Sequence, residues 1–516
     1  MIGGEALVRS LVTSGVDVVF GNPGTSEMHF VATLDAVPEM RGVLALFEGV
    51  ATGAADGYAR LRESPAAVLL HLGPGLGNGL ANLHNARRSR APVVAIVGDH
   101  ATYHKQYDAP LESDIDTVAR NVSTWIRRSM RPEDAGRDAA AAVAAAFGPP
   151  GQVATLILPA DVSWSEGGSV AAPAPRRPRE AVSAAMLDTV ATVLRSGERT
   201  AFLLGGSALT ARAIGAASRI SQATGAEVLG ETFPARIERG AGVPVIQRLA
   251  YLAEMAAGQL DGLRHLILVD TKAPVSFFAY PGKPSDLVPE GCDVIVLAGG
   301  GDDAAAALEA LATELGAHPI AVSDHPTPDR PSGELGAESI ARAIGALLPE
   351  GAIVSDEANT SGTFLPTFTA GAPRHDWLTL TGGSIGQGLP VAVGAAIACP
   401  DRPVLALEAD GSALYTLQSL WTMAREQLDV TTVIFSNRRY AILRMELARV
   451  GATASGQRAL EMLDISPPDI DFVALAKGLG VPATRPERAE AFVADLDRAF
   501  SEPGPHLIEA VIPSLF

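Results

Sequence analysis

The stretch Pro403–Leu443, PVLALEADGSALYTLQSLWTMAREQLDVTTVIFSNRRYAIL, decides the fold. Pro403–Glu408 is a short apolar run that ends in the turn Ala409-Asp410-Gly411-Ser412. Ala413–Leu428 carries apolar residues at helical spacing (Leu414, Leu417, Leu420, Trp421, Met423, Ala424) with no internal Gly or Pro, which predicts one continuous helix. Val430–Phe435 is β-branched and apolar and closes at Ser436-Asn437. Strand, turn, helix and strand in that order predict a crossover between parallel strands. Asp410 and Asn437, 27 positions apart, then both stand at strand carboxyl ends, where open α/β sheets bind ligands. A carboxylate and an amide oxygen converging there, with carbonyls in the next loop, suit a hard cation such as Mg²⁺ holding a phosphate. Gly411 and Ser412 open the helix and offer N–H groups and a hydroxyl to a diphosphate. Taken alone, an Asp-Gly-Ser turn reads more readily as an ordinary βαβ unit.

The same alternation of apolar strands and helices extends along all 516 residues and predicts an α/β protein of three doubly wound parallel-sheet units, at 1–168, 180–322 and 335–516. Ala171–Arg179, AAPAPRRPR, and His325–Glu334, HPTPDRPSGE, read as the linkers between them. Strands are expected at Val16–Phe20, Val43–Phe47, Ala67–Leu70, Val93–Val97 and Val153–Leu158 in the first unit, and at Ala201–Leu204, Leu266–Val269 and Val294–Leu297 in the second. A net charge of −18 argues against nucleic acid as a partner. No run of apolar residues is long enough to span a membrane, and the start MIGGEALVRSLVTSG lacks the pattern of a secretory signal. Two cysteines, Cys292 and Cys399, in apolar contexts make a disulfide framework improbable and a cytoplasmic location the expectation.

Three places in the first unit carry candidate chemistry. Gly21–Glu27, GNPGTSE, is a turn at the end of a strand that would bring the Thr25 and Ser26 hydroxyls to a crevice, with Glu27 in the first helical turn. Glu48 stands between the apolar strand GVLALF and the small-residue helix Gly49–Ala59. A carboxylate there is poorly solvated, although a helix-start Glu favoured by the dipole is the plainer reading. His71 ends an apolar strand and precedes a glycine-rich run (Gly73, Gly75, Gly77) expected to be a loop. A lone His at a strand end is more often packed than catalytic. The glycine run is no dinucleotide fingerprint, because its spacing is wrong and no acidic residue follows at the required distance.

Read together, these segments resemble the thiamine diphosphate (ThDP)-dependent 2-oxo acid decarboxylase and acetolactate synthase family, and are closest in motif to benzoylformate decarboxylases and acetolactate synthase large subunits. Asp-Gly-Ser with Ser-Asn closing the next strand is similar to the family's Gly-Asp-Gly and Asn-Asn; Ala409, Ser412 and Ser436 are the departures. LFEGVATGAADGYAR resembles the pyrimidine-binding helix. The resemblance implies a pyrimidine-binding unit, a central unit and a diphosphate-binding unit, in that order. It implies Asp410, Asn437 and the backbone carbonyl of Arg439 as Mg²⁺ ligands, and Asn359, Thr360, Gly411 and Ser412 around the diphosphate. It further implies that Gly383 offers its carbonyl to the cofactor's amino group and that Ile385 supports the bent cofactor from below. Glu48 would hydrogen-bond the pyrimidine ring, and His71, with Thr25 nearby, would exchange protons with the adduct.

Asn78, Ala279, Ile442, Leu443 and Glu446 would line the substrate pocket. Ala279, within KAPVSFFAYPG, stands where benzoylformate decarboxylases carry a second active-site His, and Leu443 where pyruvate decarboxylases carry a Glu. The implied chemistry is decarboxylation of a 2-oxo acid to an enamine, followed by aldehyde release or carboligation. Acetolactate synthesis from pyruvate is the alternative, and a non-catalytic ThDP-binding relative is the reading from another class. The central unit's Leu203–Leu209, LLGGSAL, shows no basic or aromatic clamp, so FAD is not expected. Because the residue matching Glu48 serves a cofactor whose diphosphate is held by the partner subunit, a homodimer or homotetramer is implied.

Overall fold

The computed structural model describes residues 1–322, 325–452 and 456–515. Residues 453–455 and 516, which the sequence assigns to the third unit, lie outside the described residues. Three sheets organise the chain. In the first, β1 (Val18–Gly21), β2 (Arg41–Leu44), β3 (Ala66–Leu70), β4 (Val93–Asp99), β5 (Trp125–Arg128) and β6 (Val153–Pro159) lie in the order β2-β1-β3-β4-β6-β5, all parallel. β1, β3, β4 and β6 are buried at every position, which is why they read as continuous apolar runs.

The central segment forms β7 (Thr200–Leu204), β8 (Glu227–Gly230), β9 (Ile237–Arg239), β10 (Gln247–Arg248), β11 (His265–Val269) and β12 (Asp293–Ala298). Five of these make a parallel sheet in the order β10-β8-β7-β11-β12. The third sheet, β17-β18-β16-β15-β13-β14-β9, contains β13 (Ile353–Glu357), β14 (His375–Thr379), β15 (Val404–Ala409), β16 (Val430–Ser436), β17 (Ala483–Thr484) and β18 (His506–Val511).

β9 leaves its own segment and pairs antiparallel with β14. Arg236 holds Asp376 at 2.6 Å, and the Arg239 guanidinium lies 5.1 Å from the Trp377 ring centroid, so the exchange is fastened by charge and by stacking. The central unit is therefore not confined to its own sheet.

Three local expectations are corrected. The helix expected over Ala413–Leu428 is broken into Asp410–Ala413 and Ser419–Glu426. The Thr416 hydroxyl donates to the Gly386 carbonyl at 3.0 Å and draws the intervening turn toward that loop, leaving Leu414 and Tyr415 exposed. The glycine run after His71 is the start of the helix Leu72–Ser89 and not a loop. Its glycines admit close packing: a Cβ at Gly79 would press on the Thr52 side chain. β2 stops at Leu44, three residues short of Phe47, where the Thr422 hydroxyl takes the Leu44 carbonyl at 3.2 Å.

Helices Glu48–Arg62 and Gly388–Ala398 pack directly on each other. Their glycines permit backbone contact: a Cβ at Gly57 would run into the Val391 carbonyl, and one at Gly394 into the Ala54 carbonyl. The first and third sheets are thereby joined into one core containing Val68, Val97, Leu389, Val404 and Ile434. Among the described residues no helix is long and apolar enough to cross a membrane. Cys292 and Cys399 are free thiols.

Candidate active site

Two clusters of polar side chains form at strand ends. In the first sheet, β3 ends at His71 and the chain turns sharply through Leu72 into its helix. His71 Nδ1 lies 2.8 Å from Glu27 Oε2 and 3.3 Å from Ser26 Oγ. Glu27 is almost fully buried. It also accepts the Gly24 N–H at 2.7 Å and the Ser26 hydroxyl at 2.7 Å. A carboxylate only accepts, so His71 Nδ1 carries its hydrogen toward Glu27, which leaves Nε2 as the exchangeable nitrogen.

Glu48 is the first residue of its helix and is buried. The Asn78 amide donates to Glu48 Oε2 at 3.0 Å. Glu48 Oε1 and His71 Cβ lie 3.3 and 3.4 Å from the point a Cβ on Gly75 would occupy, so Gly75 keeps the two side chains as close neighbours. The sequence's Glu48, His71 and Asn78 are thus brought together. Thr25 is exposed at the start of a 3₁₀ turn, and Ser26 is the hydroxyl that reaches His71. Sequence reasoning passed over the Glu27–His71 pair. No local signal links the two, because they lie 44 positions apart.

In the third sheet, β15 and β16 are parallel neighbours with Ala409 opposite Phe435, which sets Asp410 and Asn437 side by side. Asp410 Oδ2 accepts the Arg438 N–H at 2.6 Å and Oδ1 the Gly411 N–H at 2.8 Å. Burial pushes the Asp410 carboxyl up to about 6 against the pull of these N–H groups. No cationic side chain pairs with it among the described residues. The Asn437 amide approaches Ser361 Oγ at 3.4 Å, and Asn437 Oδ1 accepts the Arg439 N–H at 3.1 Å. Asn359, at φ +50°, donates to Ser412 Oγ at 3.0 Å, while Thr360 is half-buried beside it. Gly411 leaves the space that the Tyr440 ring fills.

The loop Gly382–Gly388 lies against the first unit. Asn82 donates to the carbonyls of Gly49 (2.8 Å) and Gly386 (3.1 Å), and Asn85 to that of Ser384 (2.8 Å). Glu357 accepts the N–H groups of Gly386, Gln387 and Gly388 at 2.6–2.8 Å and fixes the loop from below. Gly383 is exposed at φ +72° and Ile385 is half-buried. Among the described residues no group of three or more His, Cys, Asp or Glu side chains could hold a metal ion. A cation at Asp410 would therefore draw on amide and carbonyl oxygens, the donors that Mg²⁺ prefers.

An aromatic wall stands over Gly383: Phe277 occupies the space a Cβ there would need and packs with Phe233, Tyr251 and Phe278. Phe233 and Tyr251 come from irregular segments and left no periodic trace in the sequence. Ala279 is exposed at the edge of this wall, and Ile442 and Leu443 lie on the helix Ala441–Arg449 that follows the Asn437 loop.

The central sheet has a similar turn after β7, Gly205-Gly206-Ser207, but its N–H groups are taken. Gly206 donates to Glu231 at 3.1 Å and Ser207 to Asp270 at 2.8 Å. Arg90, from the first unit, is ion-paired with Asp270 and donates to its carbonyl at 2.9 Å.

Comparison with known proteins agrees with this geometry. Residues 1–119 match the thiamine pyrophosphate enzyme N-terminal TPP binding domain, and 360–510 match the C-terminal TPP binding domain. The chain is 62% identical, over the full length of both, to a Mycobacterium tuberculosis protein provisionally named acetolactate synthase large subunit IlvX. It is 29% identical to a Pseudomonas aeruginosa benzoylformate decarboxylase, over 96% of each chain. Its fold superposes on the ThDP-dependent 4-hydroxybenzoylformate decarboxylase of Rhodococcus jostii with a TM-score of 0.84 at 25% identity, covering 99% of both chains. Two polar clusters at strand ends, and relatives of the same description along the whole chain, lead to one conclusion: the chain belongs to the thiamine pyrophosphate enzyme family, in its group of decarboxylases and acetolactate synthases.

Proposed function

We propose that this enzyme decarboxylates a 2-oxo acid with ThDP and Mg²⁺, releasing an aldehyde or joining the product to a second carbonyl. The observation that carries the reading is the buried Asp410 carboxyl, without a cationic partner among the described residues, at the strand end beside Asn437, in the turn whose Ser412 hydroxyl takes the Asn359 amide. Mg²⁺ would be held by Asp410, Asn437 and the carbonyl of Arg439, and the diphosphate by Asn359, Thr360, Gly411 and Ser412. When bound, ThDP supplies a carbon nucleophile and an electron sink for the departing carboxylate's electrons.

The chain's own groups do the rest. Glu48, steadied by Asn78, holds a proton at the pyrimidine ring nitrogen. His71 gives or takes a proton at Nε2, and Glu27, 2.8 Å from Nδ1, orients the ring. Gly383 would offer its carbonyl to the cofactor's amino group, and Ile385 would support the bent cofactor. The aromatic wall offers an apolar surface to the body of the substrate. A second copy of the chain would complete each site, giving a homodimer or homotetramer.

The central unit serves as a structural domain without FAD: the Gly205–Ser207 N–H groups that a nucleotide diphosphate would use already bind Glu231 and Asp270. Acetolactate synthesis is the second reading, favoured by the description of the relative at 62% identity.

Measuring CO₂ and acetolactate from pyruvate, benzoylformate and branched 2-oxo acids decides between them. CO₂ without acetolactate is the expected result. ThDP binding with no CO₂ from any acid would overturn the proposal. Glu48→Gln should retain ThDP, seen as a thermal shift, and lose turnover by about 10²–10⁴-fold.

A further inference from the structure

The loop that carries Gly383 and Ile385 is held along alternate carbonyls by the helix Leu72–Ser89. His84 Nε2 lies 3.2 Å from the Gly382 carbonyl, Asn85 donates to that of Ser384 at 2.8 Å, and Asn82 to that of Gly386 at 3.1 Å. A carbonyl only accepts, so His84 carries a hydrogen at Nε2 and both amides turn their nitrogens to the loop. The carbonyl of Gly383, between two held ones, has no donor among the described residues. Two glycines admit this close approach. A Cβ at Gly382 would run into Asn85 Oδ1, and one at Gly53 would meet the Asn82 amide nitrogen at 3.0 Å.

Asn82 does more than hold one carbonyl. It is buried, and its amide also donates to the Gly49 carbonyl at 2.8 Å, in the first turn of the helix that starts at Glu48. Its oxygen accepts the Asn85 amide at 3.0 Å. One planar amide with two hydrogens therefore spans the gap between the Glu48 helix and the Gly386 turn; a hydroxyl has one hydrogen to give and a carboxylate none. In the implied homodimer, Glu48 and Gly383 of one chain face different cofactors, so this amide sets parts of both sites to a common frame. Removing it strands neither carbonyl: the Thr416 hydroxyl still donates to Gly386 at 3.0 Å and the Thr52 hydroxyl to Gly49 at 3.3 Å.

We propose that Asn82 is a positioning residue that fixes the distance between the Glu48 helix and the Gly383–Ile385 loop, and with it the place of the Gly383 carbonyl. This rests on the ThDP reading. Glu357 holds the N–H groups of Gly386, Gln387 and Gly388 within the third unit, whereas Asn82 ties the loop to the first unit.

The test compares the full-length parent with Asn82→Ala and Asn82→Asp. Thr155→Val, which breaks a buried hydroxyl pair with Ser123 in the first unit, is the stability control. Three quantities are read: hydrogen exchange of residues 380–388 without cofactor, the Kd of ThDP with Mg²⁺ by tryptophan fluorescence, and kcat and KM for pyruvate and benzoylformate. Each Asn82 variant should speed exchange in that segment, and weaken ThDP binding, by about three- to tenfold, as loss of one or two hydrogen bonds dictates. Thr155→Val should change neither. In the Asn82 variants kcat should fall by about 10- to 100-fold with KM within about threefold of the parent, because the loop's displacement moves catalytic groups. Parent-like exchange and ThDP affinity in a folded Asn82 variant overturn the inference, as does a fall in kcat no larger than that of Thr155→Val. Should neither Asn82 variant fold, Asn85→Ala, which frees the Ser384 carbonyl, is judged by the same criteria. A parent that binds ThDP and releases no CO₂ overturns the decarboxylase reading alone, since exchange and binding still decide this one. A parent that binds no ThDP overturns both.

Discussion

Two glycine turns at strand ends, Gly205-Gly206-Ser207 after β7 and Asp410-Gly411-Ser412 after β15, share a topology and differ in what faces them. At the first, carboxylates from the neighbouring strand ends, Glu231 and Asp270, accept the turn's N–H groups, and Arg90 closes over Asp270. At the second, the carboxylate belongs to the turn itself, no cationic side chain pairs with it among the described residues, and Asn359, Ser361, Ser412 and Asn437 supply neutral polar groups nearby. An internal anion seals the one crevice, and the other keeps a buried carboxylate that lacks a cation. The same backbone device becomes a structural clasp or a ligand site according to the sign and ownership of the charge set against it.

That contrast can be broken at several points. Asp410→Ala should have the largest effect, abolishing the Mg²⁺-dependent thermal shift with ThDP and lowering turnover by about 100-fold or more. Asp270→Ala should leave the ThDP-induced shift in place. Because it strands the Ser207 N–H and the Arg90 guanidinium, it should cost about 1–3 kcal/mol in denaturant unfolding. Retention of full stability would show the central crevice is not sealed as described.

The smallest effect concerns pH. Burial raises the Glu231 carboxyl above its ordinary 4.5, so the folded protein holds that proton after the unfolded chain has released it. Its contribution to stability is therefore largest at or below about pH 4.5 and declines as pH rises through the folded value. Glu231→Gln, which can still accept the Gly206 N–H, should flatten that decline in thermal unfolding measured from pH 4.5 to 8.

Much of the fold is legible in the sequence because the central strands are buried on both faces. β3, β4, β6, β7, β15 and β16 appear as mainly apolar, β-branched runs. The short strands are another matter: the edge strands β5, β9, β10 and β17, and β8 beside β10, are short and partly exposed, and pairing such as that of β9 is decided by tertiary contacts such as Arg236 with Asp376. At the candidate site, Glu48, His71, Asp410 and Asn437 are visible because each ends a strand or starts a helix. The sequence offers Glu27 only as a dipole partner at a helix start, and its contact with His71, 44 positions away, is a product of folding. Tyr251 and Phe233 lie in segments without periodicity. The break at Leu414–Gln418 was illegible because helical spacing continues across it, and only the distant Gly386 carbonyl explains the turn.

The backbone contact between Glu48–Arg62 and Gly388–Ala398 has a consequence for biosynthesis. Residues such as Gly57 and Val391 meet across more than 300 positions of chain. While the ribosome is still making the middle of the protein, the small-residue face beginning at Glu48 has no cover. Long-range closure of this kind slows folding and prolongs exposure of apolar surface. The nascent amino-terminal third should thus lean on chaperones until the complementary helix emerges.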